Sequence, residues 1–421
     1  MNRAGGCVAL LGALLAMGAP TSVRAELELG GFVEGALGVR TAYVPRATLY
    51  EPWIPLDQEF TLRETRLQLR GDAYGEGAAA HFRVDVLQDD VADGDGTEVD
   101  LREGYAKVDL GTHVELRAGR QPTTWGTGDL LFINDLFPKD YVSFFVGRED
   151  QYLKLPSDAI RLGIFSSIGS ADLVYTPVFE PDRVSDPDRL TQPSSVVRVV
   201  RPEHDLENGE FALRLHRLVR SYEVAAYGYR GFWKSPRIVA EIGDDEHPAQ
   251  IAGHTRLVAV GASVRGPFLG GLGWAEGGYY DSESTVRVDL GSFTGSRVFR
   301  FVPPTEVRLL FGHEHSLPNE WTLGGQAYRE LRELVEDRVV FTLRLTKLMR
   351  YQTIRLSLFA FYGQEHAEED GYVRLTGSYA VSDAVDAVLG VNFFAGDDHN
   401  DTLFGAFDPN DNIYARLRFS F

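Results

Sequence analysis

The 421-residue sequence has a single cysteine and three methionines. One cysteine rules out a disulfide scaffold. Long apolar runs are missing too. After the N-terminus nothing approaches the ~18 consecutive apolar residues that a spanning helix needs, which excludes a helical membrane protein. Positive charge is short: 42 Lys+Arg stand against 61 Asp+Glu, a net charge of −19. A nucleic-acid partner, which needs a basic surface, is not expected. What the chain does have is 25 Phe, 18 Tyr and 44 Gly. So many aromatic residues argue against disorder.

Residues 1–25 read as a cleaved secretory signal. Arg3 gives a positive start, Cys7 to Ala19 is apolar with small residues, and Val23-Arg24-Ala25 is an A-x-A-like cleavage site. Cys7 precedes most of the apolar stretch, too early for a lipid-anchor cysteine. Losing the signal removes Arg3 and Arg24 and no acid, so the net charge moves from −19 to −21. The mature chain then has no cysteine, although it enters an oxidising compartment. Its stability must come from another source.

Residues 26–421 show no domain boundary and no repeat array. They form 10–15-residue segments in which apolar and polar positions alternate, separated by turn residues. Leu27, Leu29, Val33, Leu37 and Val39 oppose Glu28, Glu34 and Arg40. Phe82, Val84 and Val86 oppose His81, Arg83 and Asp85. Val339, Phe341, Leu343 and Leu345 oppose Arg338, Thr342, Arg344 and Thr346. Ile354, Leu356 and Leu358 oppose Arg355 and Ser357. The chain ends Ile413, Ala415, Leu417, Phe419, Phe421 against Tyr414, Arg416, Arg418 and Ser420.

A soluble sandwich would turn the apolar parity to a core; a membrane barrel would turn it to lipid and the polar parity to a wet lumen. Three features favour the barrel. The chain is secreted. Its segments exceed the ~5–6 residues of an average soluble strand and are long enough to cross a bilayer when tilted. Short and long connections alternate. Short joints fall near 71–77, 110–112, 168–171, 219–222, 266–271, 315–319, 347–351 and 380–384. Between them lie 41–58, 88–97, 122–157, 181–208, 233–253, 283–304, 330–337, 363–371 and 396–411. These join about 18 strands, with 16 as the alternative count. The expectation is an all-β, antiparallel up-and-down transmembrane barrel, with short turns periplasmic and long loops outside. Segments 59–71 and 98–110 change parity midway, as β-bulges would. Such a sheet pairs every backbone group without an edge, so it needs neither disulfides nor an apolar core.

Three stretches carry a resemblance. Ile413-Tyr-Ala-Arg-Leu-Arg-Phe-Ser-Phe421 resembles the terminal strand of bacterial outer-membrane barrels, which ends in an aromatic. That resemblance implies that Phe421 is read by the barrel-assembly machinery. Gly119-Arg-Gln-Pro-Thr-Thr-Trp-Gly-Thr-Gly-Asp129, followed by Asp135-Leu-Phe-Pro-Lys-Asp140, resembles the G-R-Q…W-G…D…P-x-D segment of porin-like barrels. Phe394-Ala-Gly-Asp, Thr402-Leu-Phe-Gly405 and Asn410-Asp-Asn412 are similar to the last outer loop and final strand of such proteins. Together they imply a pore or solute-transport role without naming a solute.

A barrel of this size holds an aqueous channel unless something fills it. Residues 122–157 are the candidate filler. A connection above ~12–15 residues is usually functional or disordered, and Phe132-Ile-Asn-Asp-Leu-Phe137 is too apolar for disorder. The expectation is that it folds inward and constricts the pore around Arg120, Trp125, Asp129, Asp135 and Asp140; the alternative is an outer lid. The polar parity is rich in arginine, including Arg83, Arg117, Arg344, Arg355, Arg374, Arg416 and Arg418, because an arginine facing lipid at mid-membrane costs about 2–4 kcal/mol. The acids cluster in the connections. Three uses of the arginines stand: pairing with Asp129, Asp135 and Asp140 to hold the loop, lining a path that attracts anions, or neutralisation by lumen acids such as Glu34, Glu64, Asp85 and Glu115. Tyr43, Trp53, Tyr105, Tyr175, Trp233, Tyr279, Tyr280, Trp321, Tyr351, Tyr362, Tyr379 and Tyr414 fit interfacial girdles.

Other chemistry is weak. His313 and His315 share a strand face but lack a third metal ligand and read as a solvated pair. Asp93, Asp95 and Glu98 offer alternating oxygen ligands for calcium, or for bridging lipopolysaccharide phosphates, without the full loop spacing. His254, His399, Asp397, Asp398 and Asp401 have no distinctive hydrolase spacing, and Gly270-Gly-Leu-Gly273 is no phosphate cradle. The sequence therefore reads as an outer-membrane porin-like channel for small solutes, not an enzyme, with no cofactor. Its expected partners are outer-membrane lipid and lipopolysaccharide, the barrel-assembly machinery and small solutes. The alternative is a barrel exporting or importing an organic or hydrophobic solute with an envelope partner; a barrel hydrolase ranks below both.

Overall fold

The computed structural model describes residues 26–41, 59–91, 96–184, 186, 189–190, 196–241, 250–283, 285–289, 296–300, 305–333, 336–365, 368–396 and 404–421. Residues 1–25, read from the sequence as a signal, lie outside these residues, as do Tyr43, Trp53, Asp93, Asp95 and the 397–401 cluster.

Eighteen strands form one closed antiparallel sheet. They are β1 Glu26–Arg40, β2 Phe60–Gly75, β3 Ala78–Asp89, β4 Thr97–Leu110, β5 Val114–Gln121, β6 Ser157–Ser166, β7 Gly169–Thr176, β8 Glu210–Val219, β9 Tyr222–Phe232, β10 Arg256–Phe268, β11 Gly271–Ser282, β12 Glu306–Leu317, β13 Trp321–Arg332, β14 Arg338–Met349, β15 Ile354–Glu365, β16 Glu368–Ala380, β17 Val385–Gly396 and β18 Asn412–Ser420. Each pairs with the next, and β1 closes on β18 in the register Phe32↔Ser420 to Arg40↔Asn412. Two further backbone bonds bind Phe421 to Gly31, at 2.9 and 3.0 Å.

Both parity breaks in the sequence are β-bulges. Thr61 is the extra residue where Gly38 pairs with Leu62 and Val39 with Phe60. Arg102 is the extra residue where Arg83 pairs with Glu103 and Val84 with Leu101. The bulges turn Leu62 and Arg102 inward, onto the connection described below. One long connection is shorter than the residue pattern implies: β15 and β16 run on until only residues 366–367 separate them. Outside the barrel, residues 196–200, 237–241 and 250–253 make a small sheet, and 285–289 pairs with 296–300.

The burial pattern is the inverse of a soluble protein. On β14, Val339, Phe341, Leu343 and Leu345 point outward, with Phe341 50% and Leu343 45% exposed, while Val340 and Thr342 are buried inside. On β3 the outward Phe82 opposes inward Asp85 and Asp89. An apolar belt around a closed sheet is what hydrocarbon demands of a strand-built protein.

The girdle expectation needs correction. Trp321, Tyr279, Tyr362 and Tyr379 do face outward and are exposed. Tyr280 and Tyr414 point inward and are almost wholly buried, and Trp233 stacks on Tyr280 at 5.5 Å. Their partners are lumen groups, not lipid headgroups.

Placing a guanidinium in the belt tests this orientation. Leu343→Arg is expected to lower folding stability in lipid vesicles by about 2–4 kcal/mol, read from a denaturant titration. An unchanged midpoint would contradict the outward assignment.

Candidate functional site

The connection between β5 and β6, residues 122–156, folds into the barrel. Asp140 starts its short helix α1, Tyr141–Phe145. Its carboxylate accepts from the Ser143 amide and hydroxyl, both at 2.8 Å, an N-cap that satisfies otherwise orphaned donors. A single-turn 3₁₀ segment, Asp150–Leu153, follows.

Inward side chains hold this connection from strands around the barrel. On β11, Glu276 accepts from the Thr127 amide (2.7 Å) and hydroxyl (3.0 Å) and from the Gly128 amide (3.2 Å). It also accepts from the Asn134 amide (2.8 Å) and side chain (2.9 Å). Gly126 makes that approach possible: its φ is +86°, and a Cβ there would lie 2.8 Å from Glu276 Oε1. Gln326 on β13 accepts from the Asp129 amide and donates to its carbonyl, both at 2.8 Å. Arg344 on β14 reaches the Asp129 carboxylate at 2.7 Å. Across the barrel, the Arg148 guanidinium pairs with Glu64 of β2, and the Tyr152 hydroxyl donates to Asp85 of β3 at 2.9 Å. Asn392 of β17 donates to the Phe145 carbonyl at 2.8 Å. Arg374 of β16 reaches Asp150 at 3.1 Å, and Arg418 of β18 reaches Glu149 at 2.6 Å.

Apolar contacts complete the seat. Trp125 is buried edge-on to Phe137, ring centroids 5.0 Å apart, and also contacts Tyr227 of β9. Phe144 and Phe145 pack against Tyr372, Phe394, Phe404 and Phe407. Phe404 and the 3₁₀ segment Gly405–Asn410 belong to the last outer connection, so it too enters the barrel. A third outer segment lies over the first: the Tyr141 amide donates to the Arg183 carbonyl at 2.9 Å, and Asp182 accepts from the Lys139 amide at 2.8 Å. Beside it, burial lowers the His254 imidazole to about 4, so it is neutral at pH 7, with Nδ1 2.9 Å from the Trp233 carbonyl.

Of the acids read as constriction residues, Asp129 meets a lumen arginine. Asp135 instead bonds Thr124 (2.6 Å) and Lys139 (2.9 Å) within the connection, and Asp140 caps α1 and pairs with Arg183 at 3.1 Å. Arg120 braces the wall, donating to the Leu101 carbonyl at 2.8 Å.

The remaining arginines sit among carboxylates. Arg83 pairs with Glu103 at 2.7 Å and Arg117 with Glu115 at 3.3 Å. Arg416 and Arg418 share Glu34, at 3.5 and 2.8 Å. Arg355, inward near the short-turn end of β15, makes no ion pair or hydrogen bond among the described residues. Glu98 is exposed at the start of β4.

Residue patterning misses three anchors, Glu276, Gln326 and Asn392, because a lone polar residue on the lumen parity looks like any other. It also misses the inward aromatics. Their trace is Leu356-Ser-Leu-Phe-Ala-Phe-Tyr362, where from Leu358 on both parities are apolar: one face is for lipid, the other for the packed connections.

No family model and no curated protein matches the sequence. Solved structures do match the fold. OccAB2 of Acinetobacter baumannii aligns over 94% of this chain and 98% of its own, at 10% identity and a TM-score of 0.53. Wzi of Escherichia coli, described as an outer membrane protein involved in group 1 capsule assembly and a carbohydrate-binding β-barrel, aligns over 98% of this chain and 87% of its own. Its identity is 12% and its TM-score 0.51. The fold is that of an outer-membrane β-barrel. At such identities the likeness speaks to architecture.

Glu276→Ala removes the acceptor shared by Thr127, Gly128 and Asn134. A hydrogen bond to a charged group contributes about 1.5–3 kcal/mol. Amide hydrogen exchange at residues 126–134 is therefore expected to speed up by roughly ten- to a hundredfold, with β11 itself unchanged. Unaltered protection would mean that the carboxylate does not hold the connection.

Proposed function

We propose that this protein is an outer-membrane porin-like channel for small polar solutes, with residues 122–156 setting the width and charge of its passage. The observation that supports this reading is the construction of the lumen. A barrel needs no internal connection to close its sheet, yet the thirteen polar contacts described above fix this one to opposite walls. Toward the short-turn end the lumen wall carries charged and hydroxyl groups instead, among them Arg355, Ser357, Thr376, Arg416 and Arg418. Such a surface replaces part of the hydration shell of a polar solute.

On the inward face of β14 to β18, Arg338, Arg344, Arg355, Arg374, Arg416 and Arg418 outnumber Glu365, Glu368, Asp370 and Asp386. That balance favours anions where the path runs beside this wall. Phe421 acts as the assembly signal, and the apolar belt contacts outer-membrane lipid and lipopolysaccharide.

The second reading is a partner-dependent barrel for an organic solute. It draws on the meeting of three outer segments around Phe145 and Tyr141, which leaves the long-connection end more fully packed than a general diffusion pore requires.

Planar-bilayer recording separates the two. The channel reading expects a steady current from the wild-type protein, Cl⁻ preference under a KCl gradient, and a larger unitary conductance in Glu276→Ala. A silent wild type that conducts only after residues 122–156 are excised supports the partner-dependent reading, and cation preference would remove the anion assignment.

A further inference from the structure

One histidine inside the barrel is built into a different setting from the rest. His81 of β3 points into the lumen near the short-turn end, two residues from Arg83, which also donates to Gln151 of the inward-folded connection at 3.3 Å. Its Nδ1 is 2.6 Å from Asp72 Oδ1 of β2, and its Nε2 is 3.2 Å from Glu103 Oε2 of β4. The imidazole is thus set between carboxylates from both neighbouring strands, with its side chain 11% exposed. The register enforces the arrangement: His81 pairs directly with Asp72 on one side and with Tyr105 on the other, with Glu103 two residues along β4.

Charges face this cluster from both sides: Glu28 of β1 pairs in register with Asp72, and Arg102 of β4 precedes Glu103 and acts on it. Arg83, on the same strand, holds the second oxygen of Glu103 at 2.7 Å. Arg70 lies opposite Arg83 on β2. The Tyr105 ring lies 5.1 Å from the imidazole, and the Arg117 guanidinium lies 4.8 Å from the centre of that ring. With His81 protonated, Asp72, Glu103, His81 and Arg83 sum to zero. A neutral imidazole with its proton on Nδ1 leaves a bare Nε2 lone pair facing a carboxylate oxygen, and the four groups sum to −1. Nε2 is buried, and its contact with Glu103 is an ion-pair distance; among the described residues it has no hydrogen-bond partner. The proton leaves to lumen water, so the switch needs no covalent step.

We propose that His81, clamped between Asp72 and Glu103, is a specificity-determining residue whose protonation sets the charge of the lumen near its short-turn end. The inference rests on the channel reading. In acid, the imidazolium cancels the local negative charge and anions are not opposed there. As pH rises and His81 loses its proton, the exposed carboxylate charge favours cations.

Two measurements on the full-length protein test this. In detergent micelles, ¹⁵N-histidine spectra should show the signal absent from His81→Gln with both ring nitrogens protonated at pH 5.5 and one released by pH 8.5. Asp72→Asn should release that proton at lower pH. In planar bilayers under a KCl gradient, the wild-type reversal potential should shift toward cation preference over the same interval. His81→Gln should sit at the alkaline wild-type value throughout, while His216→Gln, which alters the lumen histidine beside Asp172, should keep the shift. A single protonation state from pH 5.5 to 8.5, or a full shift retained in His81→Gln, overturns the proposal. A protein that carries no current sinks the channel reading instead, and the ¹⁵N titration still decides the state of His81.

Discussion

The structure depends on one constraint: in hydrocarbon, a backbone N–H or C=O without an internal partner costs several kcal/mol. An open sheet would present two such rows. The pairing of β1 with β18, extended by the bonds between Gly31 and Phe421, removes both. Once the ring is closed, stability does not require an apolar core, and the outward positions are free to be Leu, Val and Phe. The absence of cysteine from residues 26–421 follows the same logic. A disulfide stabilises chiefly by restricting an unfolded chain, and the closed sheet already ties the first strand to the last.

Closure creates a second environment inside. Part of its volume is taken by chain, and that part follows the rules for buried charge. Arg148 and Glu64 are both buried, and Arg189 joins them with its guanidinium on Glu64 and Asp89. Removing one member of such a set leaves an uncompensated charge, which is far more costly than never having built the pair. The cluster therefore fixes position more than it adds stability. Around Phe145 the solution differs: aromatic rings from β16, β17 and the last outer connection pack edge-on and tilted. Apolar packing and buried charge lie side by side inside the barrel: the Arg374 guanidinium sits 5.0 Å over the Phe144 ring.

The wall was legible in the sequence because period-two alternation has one physical cause. Val339 to Leu345 against Arg338 to Thr346 admits a single orientation once lipid lies outside. Even the bulges at Thr61 and Arg102 announce themselves as breaks in parity. The interior was less legible. The length and aromatic content of residues 122–157 indicate an inward fold, but they do not say which wall residues receive it. Glu276 and Asn392 act through geometry brought together by the register of strands far apart in sequence. Tyr280 and Tyr414 carry the pattern of girdle residues yet face inward, because a tyrosine near a strand end has the same sequence signature whether it faces a headgroup or a carbonyl. The long connection expected at 363–371 is mostly strand, since Glu368, Glu369 and Asp370 extend β16 beyond the membrane edge where charge is no obstacle.

Residues 26–421 contain no cysteine, so the central claim can be tested one position at a time. Single cysteines placed along β14 from 339 to 346, in protein reconstituted in vesicles, can be labelled and probed with a lipid-soluble and a water-soluble quencher. Labels at 339, 341, 343 and 345 are expected to respond to the lipid-soluble quencher, and those at 340, 342, 344 and 346 are not. Equal response at both parities, or the reverse pattern, would contradict a wall with lipid on one face and an enclosed lumen on the other.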